Sequence, residues 1–164
     1  MKDLWITLYT DAGFKNGQGT WGAWIRPPNE RIIRNGVCHE KITDANLAEM
    51  YAILAGVILI LRTYPDLKIR GILVKSDSRT AIQWTRYGAP MPRDPAAAKM
   101  RTRLYEMLDE RECHIRCVWV KGHRKPSLGI SAYLNGAVDG LASLAREGPS
   151  GLINTRHRIE PLSE

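Results

Sequence analysis

Ile6-Thr7-Leu8-Tyr9-Thr10-Asp11-Ala12-Gly13 is the stretch on which the reading of this 164-residue chain turns. A run of β-formers ends in a carboxylate, and glycine-rich sequence follows at once. This sets Asp11 at or just past the end of a strand, fixed by a sheet and open on one side. Asp ahead of Gly is also ordinary turn chemistry. The functional reading therefore depends on whether other carboxylates converge on Asp11.

Outward from that stretch, Leu4 to Tyr9 reads as a central strand, apolar on both faces. Gly13 to Gly19 reads as a polar turn, and Thr20 to Arg26 as a second strand. Pro27-Pro28-Asn29 forces a turn into a third strand, Arg31 to His39, where Asn35-Gly36 is read as a bulge rather than a hairpin. The period then changes. With Asp44 or Thr43 as N-cap, Ala45 to Arg62 reads as a helix with a stripe of Leu47, Met50, Tyr51, Leu54, Ile58 and Leu61. Glu49 lies near the edge of that stripe.

Ile69 to Lys75 is a fourth strand that ends in Asp77-Ser78, and Ser78 caps a short helix, Arg79 to Tyr87. A proline-rich loop leads to a helix from Ala96 to Arg111, with Met100, Leu104 and Leu108 inward. Cys113 to Val120 is a fifth strand, and Ala132 to Arg146 a last helix. The expected fold is α/β: a five-stranded mixed sheet flanked by helices, its first three strands antiparallel and strands 1, 4 and 5 parallel. One domain over residues 1–147 is expected, with 148–164 as a flexible C-terminal tail.

Lys and Arg total 24 against 17 Asp and Glu, so the net charge is +7 and the pI about 9.5. A basic small domain favours a polyanionic partner, nucleic acid before membrane. The apolar run from Met50 to Leu61 has 12 residues, short of the roughly 20 that cross a bilayer. Three cysteines, Cys38, Cys113 and Cys117, and a start that leads directly into a strand fit a reducing, cytoplasmic setting.

In this topology the C-terminal ends of strands one and four lie side by side and bring Asp11 and Asp77 together. Glu49, near the start of the long helix, reaches the same edge, and Asp139 in the last helix approaches from the other flank. Four uncompensated carboxylates repel. Hard divalent cations turn that liability into a site, because Mg²⁺ takes oxygen ligands, and two such ions suit phosphodiester hydrolysis. Mn²⁺ accepts the same ligand set.

Four motifs then carry a family resemblance. Tyr9-Thr10-Asp11, Asn46-Leu47-Ala48-Glu49, Ser76-Asp77-Ser78, and Val120-Lys121-Gly122-His123 followed by Asn135-Gly136-Ala137-Val138-Asp139 resemble type 1 ribonuclease H over roughly residues 4–146. The resemblance implies a ribonuclease H-like fold and an endonuclease that cuts the RNA strand of RNA–DNA hybrids with two Mg²⁺ ions, leaving 5′-phosphate and 3′-hydroxyl ends. It implies that Asp11 bridges both metals, that Asp139, Glu49 and Asp77 complete their ligands, and that His123 on a loop assists proton transfer or product release. Substrate contacts fall on Gly13, Phe14, Lys15, Asn16, Asn46, Ser78, Trp84, Lys121 and Asn135. A monomer with no membrane association is expected.

The chain departs from the family in three places. The stretch between His123 and Asp139 is long, Ala45 stands where many relatives have a second amide, and the basic Trp-rich protrusion is missing. Arg79, Trp84, Arg86 and Arg93, with Arg101 and Arg103, offer a short substitute for that grip.

Rival readings are a junction resolvase, an integrase-like or exonuclease relative, and a nuclease-dead nucleic-acid-binding domain; the filled acidic positions and the Lys-Gly-His loop favour ribonuclease H. A zinc site on Cys113 and Cys117 fails because four strand residues separate them by roughly 13 Å. Four of the five tryptophans fall in expected strands and read as core, which leaves Trp84 as the one to test against DNA.

Overall fold

A computed structural model describes residues 3–121 and 155–159. Six strands form one mixed sheet: β1 (Trp5–Lys15), β2 (Gln18–Arg26), β3 (Arg31–Val37), β4 (Gly71–Ser76), β5 (His114–Trp119) and β6 (Thr155–Ile159), in the order β5-β4-β1-β2-β3-β6. β1, β2 and β3 are antiparallel, and β1, β4 and β5 are parallel, as expected from the element order. The helices are α1 (Ala45–Thr63), α2 (Arg79–Thr85) and α3 (Pro95–Glu110). The expected helix over 132–146 lies outside the described residues.

Three local expectations are corrected. Gly13 does not begin a turn: β1 stays paired with β2 as far as Lys15 opposite Gln18, and only Asn16 and Gly17 turn the chain. Both have positive φ (53° and 74°), the geometry of a two-residue hairpin that Asn-Gly favours. Asn35-Gly36 is neither a bulge nor a hairpin, because both residues keep the uninterrupted register of β3 against β2, opposite Gly22 and Trp21. The tail has no periodic pattern, yet Thr155–Ile159 pairs antiparallel with β3. An edge strand is recruited by unpaired backbone N–H and C=O groups and needs no hydrophobic signature.

The core lies between the sheet and α1. Asp44 caps α1, its Oδ1 accepting the Leu47 N–H at 2.9 Å. The expected stripe understates the burial. Leu47, Ala48, Met50, Ala52, Ile53, Leu54, Gly56, Val57, Ile60 and Leu61 are all buried, whereas Tyr51 and Ile58 are half-exposed. α1 touches β1 and β2 on one side and α2 and α3 on others, so most of its circumference is interior. By length and apolarity this helix could cross a membrane, but here it is a core helix. It sits close on β1: a Cβ at Gly56 would come within 2.7 Å of Leu8 Cδ1.

Its C-terminal end is tied by Arg111, which donates to the carbonyls of Leu61 (2.9 Å), Tyr64 (2.8 Å) and Leu67 (3.1 Å). These carbonyls near the helix end would otherwise need water. Tyr64 donates its hydroxyl to Glu30 and so fastens the same end to the β2–β3 turn.

Candidate active site

β1 is paired with β4 from Trp5 opposite Gly71 to Tyr9 opposite Lys75, and no further. On its other side it remains paired with β2 through Asp11 opposite Gly22 and beyond. The sheet therefore forks past Tyr9, and Asp11 lies at the fork. Asp11 is buried (3% exposed), held by the β2 ladder, with its Oδ1 accepting the Ala12 N–H at 2.9 Å. It is thus within a strand rather than at its end, but at the end of the parallel pairing that matters for the site.

Asp77 follows β4 directly. Ser76 before it is fully buried, and its Oγ accepts the Ser78 N–H at 3.1 Å; Ser78 in turn caps α2, accepting from the Ala81 N–H at 3.1 Å. A turn this closely hydrogen-bonded fixes where the chain leaves the sheet. Glu49 comes from one turn inside α1 and is half-buried. Asp11, Glu49 and Asp77 each bring a carboxylate oxygen to within 4.8 Å of the others. The three belong to a strand, a helix and a strand-to-helix turn, which answers the convergence question the sequence raised.

An all-oxygen donor set at this spacing, one member buried and two half-buried, suits a hard divalent cation rather than zinc or copper. Three carboxylate oxygens this close together form a donor set that fits a divalent metal. Asp139, His123 and Asn135 lie outside the described residues.

The other expected contacts differ in element and exposure. Gly13, Phe14 and Lys15 continue β1 toward solvent, and Asn16 is exposed in the hairpin turn. At about 3.3 Å per residue Asn16 is roughly 17 Å along the strand from Asp11. Asn46 is exposed in the first turn of α1, and Lys121 is exposed just after β5. Ser78 acts as a helix cap. Trp84 is half-buried and packs against the core.

Arg101 is not part of a basic surface. It is buried, donates to the carbonyls of Trp84 and Arg86, and lies over the Tyr105 ring at 4.9 Å. Arg103 pairs with Glu40 at 3.3 Å. Arg79, Arg86 and Arg93 remain exposed.

The sequence reading missed Trp119. Classed as core because it lies in a strand, it is 39% exposed at the end of β5, opposite Ser76. Its indole N–H donates to the Asp77 carbonyl at 3.0 Å, and the Arg79 guanidinium lies over its ring at 4.2 Å. The signal was its place in the last residues of a strand, where cover from neighbouring elements runs out. The cysteines are inert packing groups: burial pushes the Cys38 and Cys117 thiols up to about 12 and Cys113 to about 11.

A family model described as RNase H matches residues 3–147. No curated protein sequence matches the chain. Among solved structures, RNase H1 from the halophilic archaeon Halobacterium salinarum NRC-1 is 20% identical with a TM-score of 0.61, covering 86% of this chain and 96% of that one. LC11-RNase H1, isolated from compost by a metagenomic approach and solved in complex with an RNA/DNA hybrid, is 16% identical with a TM-score of 0.64, over 83% of this chain and 92% of its own. The N-terminal RNase H domain of rv2228c from Mycobacterium tuberculosis is 17% identical with a TM-score of 0.57, covering 87% and 99%.

Proposed function

The chain belongs to the RNase H family, and on that premise we propose that it hydrolyses the RNA strand of RNA–DNA hybrids endonucleolytically, using two Mg²⁺ ions and leaving 5′-phosphate and 3′-hydroxyl ends. One observation carries the reading: the carboxylate oxygens of Asp11, Glu49 and Asp77, from three separate elements, lie within 4.8 Å of one another at the fork of the sheet.

Asp11, Glu49 and Asp77 would hold the ions, with Asp139 as a fourth ligand. When bound, the ions supply Lewis-acid activation of the attacking water and neutralise charge on the departing 3′ oxygen. The protein's own contribution is placement. Asp11 is fixed by the β2 ladder and by the Ala12 N–H, so little reorganisation accompanies binding. Without cations the three carboxylates repel a phosphodiester, so activity is strictly dependent on divalent ions. His123 would take or return a proton from its loop.

Discrimination for RNA rests on polar groups that read a 2′-hydroxyl. Asn46 is three residues from Glu49 and shares its helix face, so its amide is the first candidate for that contact. Asn135 and Ser78 are further candidates. Lys15, Asn16 and Lys121 would meet backbone phosphates, and Trp84 the DNA strand. We take the enzyme to be a cytoplasmic monomer without membrane association; its basic composition and its free cysteines Cys38, Cys113 and Cys117 agree with this.

The test is incubation with end-labelled RNA–DNA hybrid, double-stranded DNA, double-stranded RNA and a four-way junction, each with Mg²⁺, Mn²⁺ or EDTA. Internal cuts in the RNA of the hybrid, with 5′-phosphate ends and none in EDTA, are expected. Cleavage of the junction alone would reassign the enzyme to a resolvase, and binding of hybrid without cutting to a nuclease-dead domain.

A further inference from the structure

Arg79 stands two residues after Asp77 in the sequence, yet among the described residues it forms no ion pair with a carboxylate of the cluster. Its guanidinium instead lies over the Trp119 ring, 4.2 Å from Cζ to the centroid. The same indole donates its N–H to the Asp77 carbonyl at 3.0 Å. One side chain therefore touches both the backbone of an acidic-cluster residue and the guanidinium two positions further on. Trp119 is itself fixed at the last register position of β5, opposite Ser76, and the following Val120 N–H donates to the Ser76 carbonyl at 2.8 Å.

We propose that Trp119 is a positioning residue that keeps the Arg79 guanidinium off the acidic cluster and presents it to a backbone phosphate of the nucleic-acid substrate. A guanidinium held over an indole face, 4.2 Å from its centroid, meets the ring through its π-cation contact and keeps N–H donors that a phosphate can take bidentately. Held this way, Arg79 loses less freedom when the phosphate arrives. Released, it would fold back on Asp77 and compete with the cations for the carboxylates. Trp119 thus separates two roles that the sequence sets two residues apart: anionic ligands for a metal and a cation for a phosphate. The inference rests on the reading of the cluster as the catalytic site of a hybrid nuclease.

The experiment uses the full chain and two readouts. Mg²⁺ binding to substrate-free protein is followed by calorimetry, and hybrid cleavage gives KM and kcat over a salt series. Trp119→Ala is expected to weaken Mg²⁺ binding about 3- to 5-fold, the upper range for one ion pair near a surface. Adding Arg79→Gln to it restores Mg²⁺ binding to within about twofold of the parent, because the competing cation is gone. Arg79→Gln alone leaves Mg²⁺ binding near the parent value, raises KM about 5- to 10-fold and lowers the salt slope by about one phosphate, with a smaller change in kcat. Trp119→Phe keeps an aromatic face and is expected to hold Mg²⁺ binding near the parent value, which covers the case in which Trp119→Ala folds poorly.

The proposal is overturned if the double variant binds Mg²⁺ as weakly as Trp119→Ala, or if Trp119→Phe loses it equally. It is also overturned if Arg79→Gln leaves KM and the salt slope unchanged. Failure of the parent protein to cut hybrid would remove the functional reading, while the calorimetric arms would still report whether Trp119 restrains Arg79.

Discussion

Asp11 and Asp77 face one another two residues beyond Tyr9 and Lys75, the last pair of the β1–β4 ladder. Carried on without change, the parallel register sets the two aspartates opposite each other where the strands have ceased to pair. Neighbouring strands are about 4.8 Å apart, so this register is what brings their carboxylates together, and α1 delivers Glu49 to the same point.

Asp11→Asn is expected to fold normally, since the amide oxygen still accepts the Ala12 N–H, and to lose cleavage by about a thousandfold or more. A ligand at 100 times its Kd stabilises the folded state by about 2.7 kcal/mol. The parent should show such a gain in Tm with Mg²⁺ and the variant little of it. Thermal melts with and without Mg²⁺, beside cleavage assays, check this; an active variant with the full gain would remove Asp11 from the metal site.

Gly71→Ala should destabilise, although replacing a strand glycine usually helps by roughly 0.5–1 kcal/mol. A Cβ there would lie 2.3 Å from Trp5 Cζ3, and the ring must move, at a cost of about 1–3 kcal/mol. Trp5→Leu in the same chain should recover part of that loss. Urea unfolding of the single and double variants measures the coupling, and purely additive effects would refute the contact.

Arg111→Ala removes three hydrogen bonds at the end of α1 and should cost about 1–3 kcal/mol. KM and kcat should stay at the parent values, because the residue lies at the far end of α1 from Glu49. Arg111→Lys should recover less than half of the stability, since an ammonium cannot span the three carbonyls as a fork does. Equal stability of the Lys variant and the parent would contradict this.

Alkali should destabilise the protein. Burial raises the Cys38 and Cys117 thiols from an ordinary value of about 9 to about 12, and Cys113 to about 11. A raised folded-state value gives stability that is whole below the unfolded value and lost as pH rises through the folded one. Tm should therefore hold to about pH 8.5 and fall between about pH 9 and 12, and thiol reagents at pH 8 should label the native protein slowly. A Tm unchanged to pH 11 would show that the thiols are not buried in this way.

How legible the site was depended on what fixes each part. Asp11, Glu49 and Asp77 were readable because each lies where an apolar pattern begins or gives out. Gly13 misled because a glycine in a strand looks like a turn until the pairing beyond it is known. Asn35-Gly36 misled for the opposite reason, as β2 pairs with both residues, and β6 with Asn35 as well, and so a turn-prone dipeptide is held extended. β6 was invisible because edge pairing is a backbone event. Arg101 and Trp119 exchanged roles, one buried as a carbonyl clasp and the other exposed as a stacking surface, and both outcomes follow from tertiary neighbours that no single stretch contains.

The fork in the sheet also bears on how such a chain can change. From Thr7 to Tyr9 β1 is locked between two partner strands, and a shift there would disturb both ladders. Downstream, on the β4 side, the backbone owes nothing to the sheet. Loops entering from that side can lengthen, shorten or exchange their charged residues while the carboxylates keep their seats. The architecture thus joins a chemically invariant anvil to a replaceable grip, and one protein can acquire a different hold on its substrate without learning its chemistry anew.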